Sequence, residues 1–528
     1  MIWQHLRGVA FHHPPSTIYQ SNLDRHPGIV SLVLLGLSVA LTLPHALAKP
    51  FWHDEIYTIL VSRLPSFDAI WTAGLNGVDL SPPLSVWLTH LAHRVADVGP
   101  IASRLPALGG FYLSVIMVFL LLRRRVGSVG AISGALLLLY TAAPRFAAEA
   151  RAYGLMIGLF ASVLFLWMEV AAGRRRRIYL PMLATALAAS VWNHYYGVLA
   201  FAPVVAGEVV RFARRGRPDL AVAGAVGTAL LAIVPLWPLI RVAAAQRATF
   251  WVAAGPAEQL ITLHRFLIQP LVDAPFVLAG VLLALLLARL PGPRHEVPAP
   301  ALALHERVAV LVALAIPILG LLVGRFTSGG LAPRYILSGA VALSIAVPML
   351  LTNRGKRKAV PEAVLVGSLA IGATLAAAGA WYPARRPLTD PALSRPLLIS
   401  SLRQPGVTVI SGSLQFLPLW YYTPQAMKPK LHYLASSDEA LRWLRSDTID
   451  RGYQALARMV SLPVVNYETF TKNHREFRVY DNGSGWLLNA LDAAGASVDV
   501  QDAEPGGRLL IVRMPDHPVV ASPEKPGS

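Results

Sequence analysis

The stretch from Ile29 to Leu47, IVSLVLLGLSVALTLPHAL, followed by His53-Asp54-Glu55-Ile56-Tyr57, decides the fold of this chain. The run contains no Asp, Glu, Lys or Arg, and it is long enough for a helix to cross the hydrocarbon of a bilayer, which takes about 20 apolar residues. The two carboxylates that follow should then emerge at the far membrane surface. Acidic side chains are costly where they meet lipid and are usually kept for a task.

Composition agrees with a membrane setting. Of the 528 residues 55% are hydrophobic and only 14% charged, whereas a soluble domain carries roughly 25% charged residues. The formal net charge is +18, but the positive residues sit in short clusters between apolar runs. That distribution suits cytoplasmic loops facing anionic lipid and argues against nucleic-acid binding. The absence of cysteine excludes disulfides and thiolate metal sites. Ala46-Leu47-Ala48 resembles a signal-peptidase site, yet the long segment before it, with Arg7 and Arg25, favours an uncleaved first span.

Apolar windows bounded by charge or Pro/Gly clusters predict about eleven spans. They run Gly28 to Leu47, Ile101 to Leu122, Val129 to Ala143, Ala152 to Ala172, Ile178 to Trp192, Tyr195 to Phe212, Leu220 to Ile240, Ala274 to Leu290, Val308 to Val323, Tyr335 to Leu351 and Pro361 to Trp381. Arg123 to Arg125, Arg174 to Arg177, Arg214 to Arg217, Arg289 to Arg307 and Arg354 to Lys358 follow alternate spans, so all fall on one side. The positive-inside rule makes that side cytoplasmic. The expected organisation is a cytoplasmic N-terminus over 1–27, a transmembrane module over 28–381 with a first outer loop over 49–100, and an extracytoplasmic α/β domain over 382–528. In the outer loop, Asp54 to Phe67 and Leu84 to Ala96 have helical apolar spacing, and Ile56, Ile59, Leu60 and Arg63 suggest a helix lying among head groups. In the tail, short β-type runs at Val407 to Ile410, Leu431 to Leu434, Phe477 to Tyr480, Val498 to Val500 and Leu509 to Val512 alternate with helical stretches. Ser522 to Ser528 has the composition of a disordered end.

Sorted by side, the polar residues converge. Asp54 and Glu55, then Arg145, Glu149, Arg151 and Tyr153, then Trp192-Asn193-His194-Tyr195-Tyr196, then Arg325 and Pro333-Arg334-Tyr335, all belong to the outer ends of spans. A carboxylate crowded by others in a desolvated site is a candidate general base. Arginines at the same depth can grip phosphate through a planar fork of donors. Each residue alone has a plainer reading, as a solvated loop side chain, a local ion pair or an interfacial anchor. The one-sided gathering is what favours a site.

The order of an acidic pair after the first span, Ser81-Pro82-Pro83-Leu84, Arg104-Leu105-Pro106, Glu149-Ala150-Arg151-Ala152-Tyr153-Gly154, an aromatic loop with His194 and a late Pro333-Arg334-Tyr335 resembles the bacterial branch of GT-C glycosyltransferases. That group includes protein mannosyltransferase-like and aminoarabinose transferase-like enzymes. The resemblance spans roughly residues 29 to 350. It implies transfer of a sugar from a polyprenyl-phosphate donor to an extracytoplasmic lipid, glycan or protein in the bacterial inner membrane. It further implies Asp54 as catalytic base, with Glu55 and Glu149 as its catalytic companions. Arg151, Arg334 and Tyr335 would then hold the donor phosphate, and Tyr57, Tyr153, His194 and Tyr195 the substrate. A single base without a carboxylate nucleophile suits inversion at the anomeric carbon. No Asp/Glu/His ligand cluster stands out in the sequence, so no obligatory metal is expected, though a divalent ion is compatible with the group. The alternative is a polytopic transporter or lipid-linked-sugar flippase, which would place charges near mid-membrane and repeat its halves. The span interiors here are nearly free of charge, and no repeat is visible.

Overall fold

The computed structural model describes residues 22–250, 256–290, 297–298, 302–326, 331–351, 356–357, 359–384 and 394–515. Most of the N-terminal segment, the Ser522 to Ser528 end, Arg354 and Lys358, and the expected junction after 384 lie outside these residues.

The chain is a bundle of apolar helices capped at one end by an α/β region. Among the described residues six helices are long and apolar enough to cross a membrane, or up to eight if each bent pair is one span. These numbers do not confirm the expected eleven, and the helices show how the windows map onto them. The second and third expected spans run together as Pro100–Leu138, but Gly127 adopts φ 75°, ψ 176° inside it. Residues twelve apart in a straight helix lie about 18 Å apart, yet a Cβ on Gly134 would overlap the Leu122 side chain. The chain therefore doubles back at Gly127, directly after Arg123 to Arg125, and glycine supplies the positive φ without steric cost. The expected eighth window becomes the end of a bent pair, Leu260–Val272 with Pro275–Arg289 at 101°, and the ninth is bent by 56° between Leu304–Leu314 and Ile316–Arg325. Ser338–Leu351 is apolar but short.

Tyr153–Ala171 is the central helix, and nearly all of its side chains are buried. Its N-terminal half crosses Pro100–Leu138 at backbone contact. A Cβ on Gly154 would overlap the Ala107 carbonyl, and one on Gly158 the Gly110 carbonyl. Small residues four apart let two helices approach this closely in a membrane. The same packing fixes the position of Arg151 and Tyr153 at the helix start.

Charged side chains collect at the two ends. At one end Arg123 donates to the Asp24 carbonyl, Arg125 forks onto Glu306 at 2.7 and 2.9 Å, and Arg124, Arg125 and Arg174 surround buried Glu169. Arg176 and Arg211 share Asp219. The predicted basic clusters at Arg123 to Arg125 and Arg174 to Arg177 thus take part in an ion-pair layer.

The other end carries the first outer loop and the tail. The loop folds as three helices, His53–Ser62, Phe67–Leu75 and Leu84–Val95. The break after Ser62 reflects Pro65 and Ser66, whose hydroxyl caps the second helix by accepting from Ala69 N at 3.1 Å. The tail strands are β1 (Thr408–Ile410), β2 (Leu431–Ala435), β3 (Val464–Asn466), β4 (Glu476–Asp481), β5 (Ser497–Glu504) and β6 (Gly507–Arg513). Their order in the sheet is β3-β2-β1-β4-β6-β5, parallel through the first four and antiparallel beyond. All five predicted strands are present, and β3 is an addition.

Helix His53–Ser62 does not lie among head groups. Ile56 and Ile59 are fully buried, sharing one apolar core with Leu398, Phe416, Leu417, Tyr433, Tyr453 and Leu456 of the tail. The apolar face that suggested lipid is covered by protein instead. Phe51 N donates to Tyr422 OH at 2.7 Å, and Tyr453 OH lies 3.0 Å from His53 Nδ1.

Candidate active site beneath the tail

Trp52 is extended and His53 begins the first loop helix, so Asp54 and Glu55 occupy its first turn, where the helix dipole favours negative charge. The two neighbours then diverge. Glu55 is fully buried, with Oε1 receiving Arg104 Nε at 2.7 Å and Ala150 N at 2.8 Å. Its Oε2 receives Arg104 Nη2 at 3.0 Å and reaches back to Trp52 N at 3.4 Å. Arg104 is itself fully enclosed, lies 4.6 Å over the Phe51 ring and donates to the Ala46 carbonyl. This bidentate pair ties the loop helix to the ends of two bundle helices. Every oxygen of Glu55 is committed to that task.

Asp54, about 100° round the helix, is partly exposed. Its Oδ2 lies 3.5 Å from Arg334 Nη2, a loose ion pair that leaves the carboxylate open to another partner. Arg334 Nε donates to Tyr153 OH at 2.7 Å, and its guanidinium lies 5.7 Å over the Tyr153 ring and 5.9 Å over that of Tyr335. Arg151 donates from Nη1 to Thr58 Oγ1 at 2.9 Å and reaches the Asp54 carbonyl at 3.4 Å. Burial alone would weaken the charge of Arg151, but Asp54 and Asp79 outweigh it and hold its proton more tightly than usual. Tyr153, His194, Tyr196 and Tyr335 pack as an aromatic wall, with the His194 and Tyr335 rings 4.8 Å apart. Burial, reinforced by Arg151 and Arg334, pushes His194 down to about 3, so its ring is neutral. Because Nδ1 accepts from Tyr196 N at 3.2 Å, the ring proton belongs on Nε2.

Asp54, Arg151, Tyr153, His194, Arg334 and Tyr335 are thus brought together from four separate loops. Other expected residues stand apart. Glu149 lies beside the cluster but pairs with Lys49 at 2.6 Å. The Tyr57 hydroxyl lies 2.5 Å from Val78 O and 2.9 Å from Gly452 O, so it joins loop to tail. Tyr195 OH is buried without a hydrogen bond among the described residues. Arg145 is exposed against Phe146 and enters no part of the cluster.

Three residues escaped the sequence reading. Lys49 neutralises Glu149, and Thr58 steadies Arg151. Asp79, two positions before Ser81-Pro82-Pro83, accepts from Ser81 N at 2.9 Å on Oδ1 and turns Oδ2 to within 3.9 Å of Arg151 Nη1. A carboxylate just before a proline-stiffened turn in the outer loop was the available signal. Among the described residues no three His, Asp or Glu side chains converge as a metal ligand set.

No family model matches the sequence, and no curated protein matches it. Solved structures do. The crystal structure of ArnT from Cupriavidus metallidurans bound to undecaprenyl phosphate superposes with a TM-score of 0.57 at 16% identity, covering 93% of this chain and 98% of that one. The chain has the ArnT fold. The apo structure of ArnT gives the same TM-score and coverage at 14% identity. The ArnT-like architecture extends over bundle, outer loop and tail alike, since nearly the whole of both chains is covered.

Proposed function

We propose that this chain is a membrane glycosyltransferase that moves a sugar from a polyprenyl-phosphate donor to an extracytoplasmic acceptor. The observation that carries the reading is the setting of the Asp54 carboxylate against Arg334 and beside Arg151, under the tail of a fold whose ArnT representative was crystallised with undecaprenyl phosphate. The arginine-rich end of the bundle is then cytoplasmic, and the site and tail face the periplasm.

The chemistry follows from the charges. The acceptor hydroxyl gives its proton to Asp54 while its oxygen forms a bond to the anomeric carbon. The bond from that carbon to the phosphate oxygen breaks, and its electron pair leaves with the polyprenyl phosphate. Arg151 and Arg334 stabilise the charge gathering on the departing group, with donors that require no rearrangement during the reaction. Attack opposite the leaving group inverts the anomeric centre. Tyr153, Tyr335 and neutral His194 offer flat faces for the sugar, while Glu55 and Arg104 hold Asp54 in register.

Purified protein supplied with a panel of polyprenyl-phosphate sugars should release polyprenyl phosphate, and Asp54→Asn should not. Sugar transfer undiminished in folded Asp54→Asn removes the base assignment. Passage of lipid-linked sugar across vesicles with no transfer at all would favour a flippase.

A further inference from the structure

Among the described residues the charges around the site cancel. Lys49, Arg104, Arg151 and Arg334 face Asp54, Glu55, Asp79 and Glu149, four cations to four carboxylates, and His194 is neutral. Two of these pairs are tight, Glu55 with Arg104 and Glu149 with Lys49. The two beside the proposed phosphate seat are loose, at 3.5 Å for Asp54 with Arg334 and 3.9 Å for Asp79 with Arg151. Asp79 Oδ2 is shielded from solvent and makes no hydrogen bond, and Arg151 Nε likewise has none among the described residues. Asp79 is not free to swing away, since Oδ1 is held by the Ser81 amide ahead of Pro82 and Pro83.

A phosphate seated on Arg151 therefore meets a fixed carboxylate already 3.9 Å from Nη1. The donor is a phosphodiester with one negative charge. The product is a monoester whose second proton leaves with a pKa near about 6, so it approaches two charges at neutral pH. A balanced site gives the monoester no extra attraction for its second charge, and Asp79 repels it.

We propose that Asp79 is the specificity-determining carboxylate of this site, discriminating against the dianionic product and so hastening its release. The inference rests on the glycosyltransferase reading. At separations of several Å in a partly desolvated site, one unit charge shifts affinity by about tenfold or more.

The test uses full-length protein at pH 7.5 and two probes, farnesyl phosphate as monoester and methyl farnesyl phosphate as diester. Asp79→Asn keeps the shape and the Ser81 hydrogen bond but removes the charge. It should tighten the monoester about tenfold and the diester clearly less, so that inhibition of turnover by added monoester deepens, while Asp79→Glu should retain the wild-type ratio. Wild-type protein alone should bind the diester about as well as the monoester. That second measurement stands even where Asp79→Asn does not fold. Equal tightening of both probes, weakening of both, or a strong wild-type preference for the monoester overturns the inference alone. Failure of wild-type protein to bind either probe overturns the donor reading with it.

Discussion

At the scale of single residues, the adjacent carboxylates illustrate how position within one helical turn assigns role. Glu55 points into the bundle and is saturated by Arg104, Ala150 N and Trp52 N, while the partly exposed Asp54 carboxylate has a loose ion pair with Arg334. Removing a positioned general base costs about 10²- to 10⁴-fold in rate, so Asp54→Asn should lower kcat by that order with little change in melting temperature. Glu55→Gln should instead lower the melting temperature first, because it leaves the buried Arg104 guanidinium without its counter-charge, and lower kcat as Asp54 loses its register. Release of polyprenyl phosphate and thermal unfolding, measured side by side, separate the two. His53 supplies a pH prediction. Burial, only partly opposed by Asp54, pushes it from 6.5 down to about 4, so it stays neutral in the folded chain and charges once unfolded. The unfolded state then binds more protons between those values, and stability must fall as pH drops through that window, levelling below it. Melting temperatures recorded from pH 7 to 4 should decline less steeply in His53→Gln than in the parent. Identical slopes would contradict the assignment.

At the scale of elements, the apolar windows and basic clusters made the bundle readable, because hydrophobic length and charge placement are local properties. The strand runs of the tail were readable for the same reason. The site was legible as far as its members lie next to span ends, as Asp54, Arg151, His194 and Arg334 do. Asp79 and Lys49 were not, since their roles depend on which partner the folded loop brings opposite them. The Gly127 reversal was legible only as a gap between two windows. Helix His53–Ser62 was misassigned to head groups because amphipathic spacing records that a face is buried, not what buries it. The close crossing of Tyr153–Ala171 on Pro100–Leu138 yields a further prediction. Gly158→Ala places a methyl group against the Gly110 carbonyl and must push the helices apart. Overpacking of this kind costs about 1–3 kcal/mol. The displaced helix start would also carry Arg151 and Tyr153 away from Asp54. Lower melting temperature together with a raised KM for donor is expected, whereas Gly109→Ala, which meets nothing within 4 Å, should leave both unchanged.

At the scale of the whole molecule, the two ends divide stability from chemistry. The layer around Glu169, Glu306 and Asp219 contains buried ion pairs far from the cleft, and breaking one leaves an uncompensated charge. Glu306→Leu should destabilise by about 3–5 kcal/mol without altering kcat/KM of the folded fraction, measured by unfolding and by initial rates at a temperature where both proteins stay native. Loss of activity in the fully folded variant would show that the ends are coupled.

One more consequence concerns the seam at helix His53–Ser62. Ile56 and Ile59 are as much part of the C-terminal tail as of the loop that bears them. A chimera that exchanges residues after 394 for those of another protein therefore exposes a greasy ridge on the helix that bears Asp54. A working graft would have to carry Phe51 to Ser62 along with the transplanted cap, so the joint to cut lies on the far side of the turn that holds Asp54 and Glu55.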